Sequence, residues 1–181
     1  MIDATIALLA QMGWLWAVEV TYSIFGERGS VDVLAFHPRT GSLLVIEVKT
    51  ELTSIEETLR RHDAKVRLAA GIARDQLKWQ PTSISRLLVL PESTTARDQL
   101  ARHARILDSV LPSQNIAVRR WLAAPSGSLQ GRLFFRITNP RGRKQEPRGS
   151  HRVRRPKPVS NHARASAKLL TGLGSDGPDR P

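Results

Sequence analysis

The chain has 181 residues, of which 40% are hydrophobic, 24% are charged and none is cysteine. This length suits one domain with a core and an extension, and the absence of cysteine excludes a disulfide framework and a thiolate metal site. The net charge of +12 favours a polyanionic partner such as nucleic acid.

The positive charge is concentrated in the last part of the chain. From Asn139 onward, 11 Lys and Arg stand against 3 Asp and Glu, a net charge of +8, whereas residues 1–138 have a net charge of +4. The last part is also rich in Arg, Pro, Gly and Ser, and such a segment buries too little apolar surface to offset the entropy cost of ordering. We expect a folded domain over residues 1–138 and a basic, disordered tail over residues 139–181.

No segment is expected to direct the protein into a membrane. The first Lys or Arg is Arg28, whereas an export signal begins with basic residues. No run reaches the roughly 18 apolar residues that a membrane span requires. These features predict a cytoplasmic protein with no membrane partner.

Apolar periodicity predicts elements in the order α-β-β-β-α-β-α-β-β. The predicted helices are residues 2–12, residues 55–77 and a helix capped by Thr94 or Thr95. The predicted strands are residues 16–24, 31–37, 43–49, 84–90, 117–122 and 132–137. This order predicts an α/β domain with a mixed central sheet flanked by helices, in which an αβββαβ core is followed by a C-terminal αββ elaboration.

Two of these elements have distinctive local patterns. In residues 16–24, alternation predicts that Val18, Val20 and Tyr22 share one face of the sheet. The sequence Ser-Ile-Glu-Glu at residues 54–57 is a capping-box pattern, which predicts the start of the long helix.

A turn at residues 38–41 joins two predicted strands into a hairpin. A four-residue loop pairs residues whose numbers sum to 79, so that Asp32 faces Glu47. Strand alternation adds Lys49 to the same face, two residues beyond Glu47. The hairpin therefore predicts two neighbouring carboxylates with a lysine beside them.

Two opposed carboxylates repel each other, so a cation, a shared proton or Lys49 has to offset the repulsion. A divalent metal fits well, because Mg²⁺ takes oxygen ligands and retains waters. Such a metal lowers the pKa of a bound water and stabilises charge on a phosphate, and Lys49 can orient that water. The cluster suits phosphodiester cleavage, and a simple surface ion pair is the alternative.

Residues 29–35, GSVDVLA, and residues 44–50, LVIEVKT, resemble the PD-(D/E)XK nuclease superfamily, which includes restriction-endonuclease-like proteins and Holliday-junction resolvases. The resemblance covers about residues 1–90 and implies a restriction-endonuclease-like αβββαβ core. It implies that Asp32, Glu47 and the main-chain carbonyl of Val48 bind Mg²⁺ or Mn²⁺, with Lys49 as the catalytic lysine. It also implies DNA as the partner.

More narrowly, the run from Glu19 through Trp79 resembles an actinobacterial group of uncharacterised proteins. In many of them this domain follows a helix-turn-helix of the Xre type, which is not expected here because the chain begins almost at the nuclease-like domain. Val31 precedes Asp32 where the superfamily motif has proline. Many superfamily nucleases dimerise, which leaves a homodimer open.

Several further residues are candidates for accessory roles. Superfamily members often have an acidic metal ligand in the first helix. Asp3 is the only acid there and lies at its extreme start, so Glu19 and Glu27 are the better candidates for that role here. Lys65 lies on the long helix, where many members have a Lys or Gln that faces the site, and a solvated helix face is the alternative. Arg60 and Arg67, on the same helix, are candidates for contacts with DNA phosphates, and solvent-facing charges are the alternative.

The histidines at positions 37, 62 and 103 have no metal-ligand spacing with one another. Surface or helix-face positions are the better interpretation of all three.

Three functions remain open from the sequence. The favoured function is a divalent-metal-dependent deoxyribonuclease. The second is a catalytically silent DNA-binding or transcription-regulatory module on a nuclease scaffold. The third is a small-molecule or protein-interaction domain, which the modest charge of residues 1–138 would suit.

Overall fold

The structure, a computed structural model, describes residues 1–136. Its helices are α1 (Ile2–Gln11), α2 (Ile55–Leu77), α3 (Thr94–Arg102), α4 (Ala104–Val110) and α5 (Asn115–Ala123). Its strands are β1 (Leu15–Ile24), β2 (Glu27–His37), β3 (Ser42–Val48), β4 (Ser83–Pro91), β5 (Ser113–Gln114) and β6 (Gln130–Phe135). The predicted tail at residues 139–181 lies outside the described residues.

The strands form one mixed six-stranded sheet with the order β1-β2-β3-β4-β6-β5. Strands β1, β2 and β3 are antiparallel neighbours, whereas β4 is parallel to β3 and to β6. On one face, Leu9 of α1 and Leu122 of α5 pack with Leu44 and Val89 of the sheet. Helices α2, α3 and α4 contribute to the core on the other face. The predicted α/β class, with a mixed sheet flanked by helices, is confirmed.

The β2–β3 hairpin has the predicted register. His37 pairs with Ser42 and Val33 pairs with Ile46, so the numbers of paired residues sum to 79. The amide of Gly41 closes the turn by donating to the carbonyl of His37 at 2.9 Å. Gly41 has a φ of 66°, which glycine adopts without steric cost, and this explains the turn at this position.

The regular alternation of side chains along β1 is interrupted at Glu19, and the sides of the sheet are exchanged beyond it. The prediction that Val18, Val20 and Tyr22 share one face is therefore wrong. Val18 packs against the core on the α1 side, whereas Val20 and Tyr22 belong to the core on the α2 side. Glu19 has a φ of 51°, and this left-handed backbone interrupts the two-residue period of the strand.

Strand β2 changes face at Asp32, the position that lies across from Glu19. Val31 belongs to the core on the α2 side, and Val33 belongs to the core on the α1 side. No glycine or proline lies within two residues of Glu19 or Asp32, so the sequence does not mark this break. Asp32 therefore lies where the regular alternation of the ribbon is interrupted.

Helix α2 begins as the capping box predicts. The side-chain oxygen of Ser54 accepts a hydrogen bond from the amide of Glu57 at 3.2 Å, a contact that stabilises a helix by about 1 kcal/mol. Buried residues Leu68, Ala69, Ile72 and Ala73 hold the helix against β2 and β3. Although α2 has 23 residues, no helix within residues 1–136 is apolar and long enough to cross a membrane.

The segment predicted as a strand at residues 117–122 lies in helix α5, so that prediction is wrong. Val118 and Leu122 are four residues apart, and both are buried in the core beneath the sheet, with Trp121 packed beside them. This is the helical period, but six residues are too few to separate it from a buried strand. The side chain of Asn115 accepts a hydrogen bond from the amide of Phe134 at 3.0 Å, which ties α5 to β6.

The single helix predicted after β4 is two helices that meet at His103. The first is capped by Ser93 and not by Thr94 or Thr95, since the Ser93 hydroxyl accepts from the amide of Ala96 at 3.1 Å. All three residues are good capping types, and the position of the turn after β4 decides which of them acts.

Candidate active site

The carboxylates of Asp32 and Glu47 meet at the ammonium group of Lys65. The Nζ atom of Lys65 lies 2.5 Å from Oε2 of Glu47 and 3.5 Å from Oδ1 of Asp32. The three side chains come from β2, β3 and α2, so the cluster forms only when the helix packs on the hairpin. The structure thus places Lys65 beside both acids, as its position on the long helix indicates.

Glu47 is a buried carboxylate between two lysines. Its side chain is 2% exposed, and its Oε1 lies 2.7 Å from Nζ of Lys49. Burial raises the pKa of the Glu47 carboxyl, but the hydrogen bonds and charges of Lys49 and Lys65 outweigh that effect and hold the pKa below its usual value. Glu47 is therefore a fixed negative charge at neutral pH.

Asp32 does not form the predicted backbone pair with Glu47. The β2–β3 pairing ends at Val33 and Ile46, and the Asp32 side chain accepts a hydrogen bond from the amide of Val48 at 2.8 Å. The Asp32 carboxylate thus takes the place of a backbone carbonyl as the acceptor of the next hydrogen bond between β2 and β3. Because the amide and carbonyl of one strand residue point to the same side, the Val48 carbonyl also faces β2.

A cleft of about 970 Å³ opens over these groups. We call the four residues at its base the floor: Asp32, Glu47, Lys49 and Lys65. The walls come from the β1–β2 ribbon and from α2, and they carry four arginines: Arg28, Arg60, Arg61 and Arg67. Six basic side chains and four acidic ones line the cleft, so its net charge is positive and suits an anionic ligand.

Neither candidate for a third acidic ligand reaches the two acids. Glu27 lines the cleft, but its Oε1 lies 2.6 Å from Nη2 of Arg67. Glu19 is exposed and is not part of the cleft lining, because the irregular backbone at that residue removes it from the pattern of the strand. Within residues 1–136, no three or more His, Cys, Asp or Glu side chains converge in a metal-binding group.

Arg60 and Arg61 of α2 share the partly exposed acid Glu57. Nε of Arg60 lies 2.8 Å from Oε2 of Glu57, and Nε of Arg61 lies 2.5 Å from Oε1. Both arginines are mostly exposed, so these ion pairs are weak and the guanidinium groups are available to a phosphate. Arg28 completes the basic wall, and sequence analysis missed it because a residue next to a turn has no periodic signal.

The prediction of a surface or helix-face position is wrong for His37, which is 6% exposed, and for His62, which is fully buried. The buried His62 lies on α2. Its Nε2 lies 3.1 Å from the carbonyl oxygen of Val45, and its Nδ1 has no hydrogen-bond partner among the described residues. The sequence did indicate the burial of His62, because this residue lies on the apolar stripe of α2 between Leu59 and Val66. Burial lowers the pKa of His62 to about 4.

This histidine is expected to make the protein less stable in mild acid. Between pH 6.5 and about 4, the unfolded chain binds a proton that the folded chain excludes, so the free energy of unfolding falls by about 3 kcal/mol as the pH falls. Urea unfolding across this range should show a flatter pH profile for His62→Gln, which can still donate to Val45. The control His103→Gln, at a partly exposed site, should keep the wild-type profile. An unchanged slope in His62→Gln would contradict the assignment.

The floor offers the donor types that a small divalent cation takes. Asp32 and Glu47 supply carboxylate oxygens. Because the Val48 amide donates to Asp32, strand geometry directs the Val48 carbonyl toward the same gap between the strands. Mg²⁺ binds through one or two carboxylates and keeps several waters, so two acids and a carbonyl fit it. Lys65 occupies the position between the acids, and a cation that bound both of them would displace its ammonium group.

Comparison with known proteins assigns the chain to no family. No family model, curated protein or solved structure matches it. The chemistry of the cleft, and the fold that positions it, carry the functional argument.

Proposed function

We propose that this protein is a divalent-metal-dependent deoxyribonuclease that hydrolyses phosphodiester bonds. The observation that carries the proposal is the convergence of two carboxylates and two lysines at the floor of a cleft with arginines in its walls. Carboxylates are the ligands that Mg²⁺ and Mn²⁺ prefer, and lysine and arginine are the side chains that phosphates prefer. Metal and phosphate chemistry are therefore supported in one cleft.

The element order adds support to this proposal. The first six elements follow the order α-β-β-β-α-β, and the two acids lie on β2 and β3. The resemblance of residues 29–35 and 44–50 to the PD-(D/E)XK superfamily predicts acids on these two strands. We therefore propose a restriction-endonuclease-like core for this part of the chain.

In the proposed mechanism, Asp32, Glu47 and the carbonyl of Val48 would hold the cation. When bound, the cation would supply a water of lowered pKa and would stabilise negative charge on the phosphate. Lys49 is 33% exposed at its side chain, so its ammonium can reach from Glu47 toward the scissile phosphate or the attacking water. Lys65 would leave the position between the acids and remain close enough to balance their charge.

The four arginines of the walls would bind the DNA backbone. Contacts to phosphates position a protein on DNA without selecting a sequence, and they weaken as the salt concentration rises. We therefore propose DNA binding that is sensitive to salt and tolerant of sequence.

The proposal is tested by incubating the protein with duplex, nicked, branched and single-stranded DNA, with and without Mg²⁺ or Mn²⁺. The expected result is cleavage of at least one substrate that requires the metal and is lost in Asp32→Ala. Absence of cleavage on every substrate, or cleavage that survives Asp32→Ala, would reject the proposal.

One observation favours a second candidate, a catalytically silent DNA-binding or regulatory module. Lys65 already forms ion pairs with both acids, and within residues 1–136 no third acid joins them. This alternative predicts salt-sensitive DNA binding without cleavage, and little change in binding on Glu47→Ala.

A further inference from the structure

The turn between β1 and β2 holds a phenylalanine in a conformation that favours glycine or asparagine. Ile24 pairs with Glu27, so Phe25 and Gly26 are the central residues of a two-residue hairpin turn. Their φ values are 49° and 81°, and a turn with positive φ at both positions prefers the sequence Asn-Gly. A bulky side chain at the first position is strained.

The ring of Phe25 contributes no packing to the fold. It is 99% exposed, whereas the other exposed large hydrophobic residues within residues 1–136 range from 40% to 68%. Exposing an aromatic ring to water forgoes the free energy that burial would supply. Backbone strain and exposure therefore both favour a different residue here, and the ring suggests a contact with a ligand.

Phe25 lies at the tip of the ribbon that forms one wall of the cleft. Glu27, Arg28 and Gly29 follow the turn and line the cleft. Tyr22, on the opposite strand, lines the same wall and lies over Gly29, where a Cβ atom would be 2.6 Å from the tyrosine oxygen. The exposed ring is thus next to the wall that carries Arg28.

We propose that Phe25 stacks on an unpaired nucleobase of a DNA strand whose phosphates lie on the arginines of the cleft. This inference rests on the proposed nuclease function and names its substrate class, which is single-stranded DNA or DNA with unpaired bases. An aromatic side chain stacks on any base, because every base has a π face. The bases of an intact duplex are already stacked on one another, and they offer no free face to the ring.

Fluorescence anisotropy with labelled oligonucleotides tests this inference, with divalent metal omitted so that no strand is cut. We expect the wild type to bind a single strand more tightly than the matched duplex. Phe25→Asn should lower single-strand affinity by about fivefold or more and leave duplex affinity unchanged. Phe25→Trp keeps a ring and should retain single-strand binding. Ile116→Asn, which removes another exposed apolar side chain outside the cleft lining, should change neither affinity.

A melting curve separates a ligand contact from a role in folding. Asparagine tolerates a φ of 49°, so Phe25→Asn should melt at or above the wild-type temperature while it binds single strands less well. Phe25→Gly also accepts this backbone and provides a second variant with the same expectation.

The remaining outcomes separate the inference from the nuclease proposal. Equal single-strand affinity of wild type and Phe25→Asn, with DNA still bound, would overturn the inference and leave the nuclease proposal intact. A wild type that neither binds nor cleaves DNA would reject both. A wild-type dimer that becomes a monomer in Phe25→Asn, measured by light scattering, would assign the ring to a contact between two copies and overturn the inference.

Discussion

Replacing Glu47 with glutamine is expected to lower metal-dependent DNA cleavage by about a thousandfold or more. The amide keeps the shape of the side chain and loses its charge, so the cation loses a ligand. Lys49 and Lys65 also lose the anion that holds their ammonium groups at 2.7 Å and 2.5 Å. Single-turnover cleavage at saturating Mn²⁺ measures the effect, because it isolates the chemical step from product release.

The matched control for this variant is Glu56→Gln. Glu56 is an exposed glutamate in the first turn of α2 and is not part of the cleft lining, so its replacement should change the rate by less than about twofold. A Glu47→Gln rate within about tenfold of the wild type would show that this carboxylate is not needed for the chemistry.

Replacing Lys65 with methionine is expected to destabilise the metal-free protein by about 3 kcal/mol. The side chains of Lys65 and Glu47 are only 11% and 2% exposed, so water cannot replace the lost ion pair. The variant leaves Asp32 and Glu47 without the cation between them, and only Lys49 still balances the buried acid. The melting temperature should fall by about 10 °C for a domain of this size.

Added Mg²⁺ or Mn²⁺ should restore much of the stability that Lys65→Met loses. A cation can take the position of the missing ammonium, and binding to the folded state alone raises stability with metal concentration. The control Arg74→Met removes an exposed cation from the same helix and should shift melting by no more than about 2 °C. If added metal does not raise the melting temperature of Lys65→Met toward that of the wild type, the acids bind no cation in place of Lys65.

The β2–β3 hairpin shows how far local rules predict the site. A four-residue turn allows few closures, so the register from His37–Ser42 to Val33–Ile46 follows from the sequence. The end of the ladder does not follow, because the side chain of Asp32 replaces a backbone carbonyl as the acceptor of the next amide. That replacement depends on how the two strands separate, which no local pattern encodes.

The other differences also arise from tertiary structure. The positive φ of Glu19 reverses which side of the sheet the following side chains of β1 face. Neither a glycine nor a proline at this position indicates that reversal in the sequence. His62 lies on the apolar stripe of α2, but its polar type suggested the surface. Within the six residues 117–122, the apolar positions Val118 and Leu122 suit a helix and a short buried strand equally well. Packing beneath the sheet decides in favour of the helix.

Calorimetric titration of Mn²⁺ into wild type and Asp32→Ala tests the central claim, that Asp32 and Glu47 form a cation site. We expect the wild type to bind about one ion per chain through its two carboxylates, and we expect Asp32→Ala to show no binding in the same concentration range. Thermal melting of both proteins without metal confirms that the variant is folded. A wild type that binds no ion, or an Asp32→Ala protein that binds Mn²⁺ with wild-type affinity and stoichiometry, would contradict the claim.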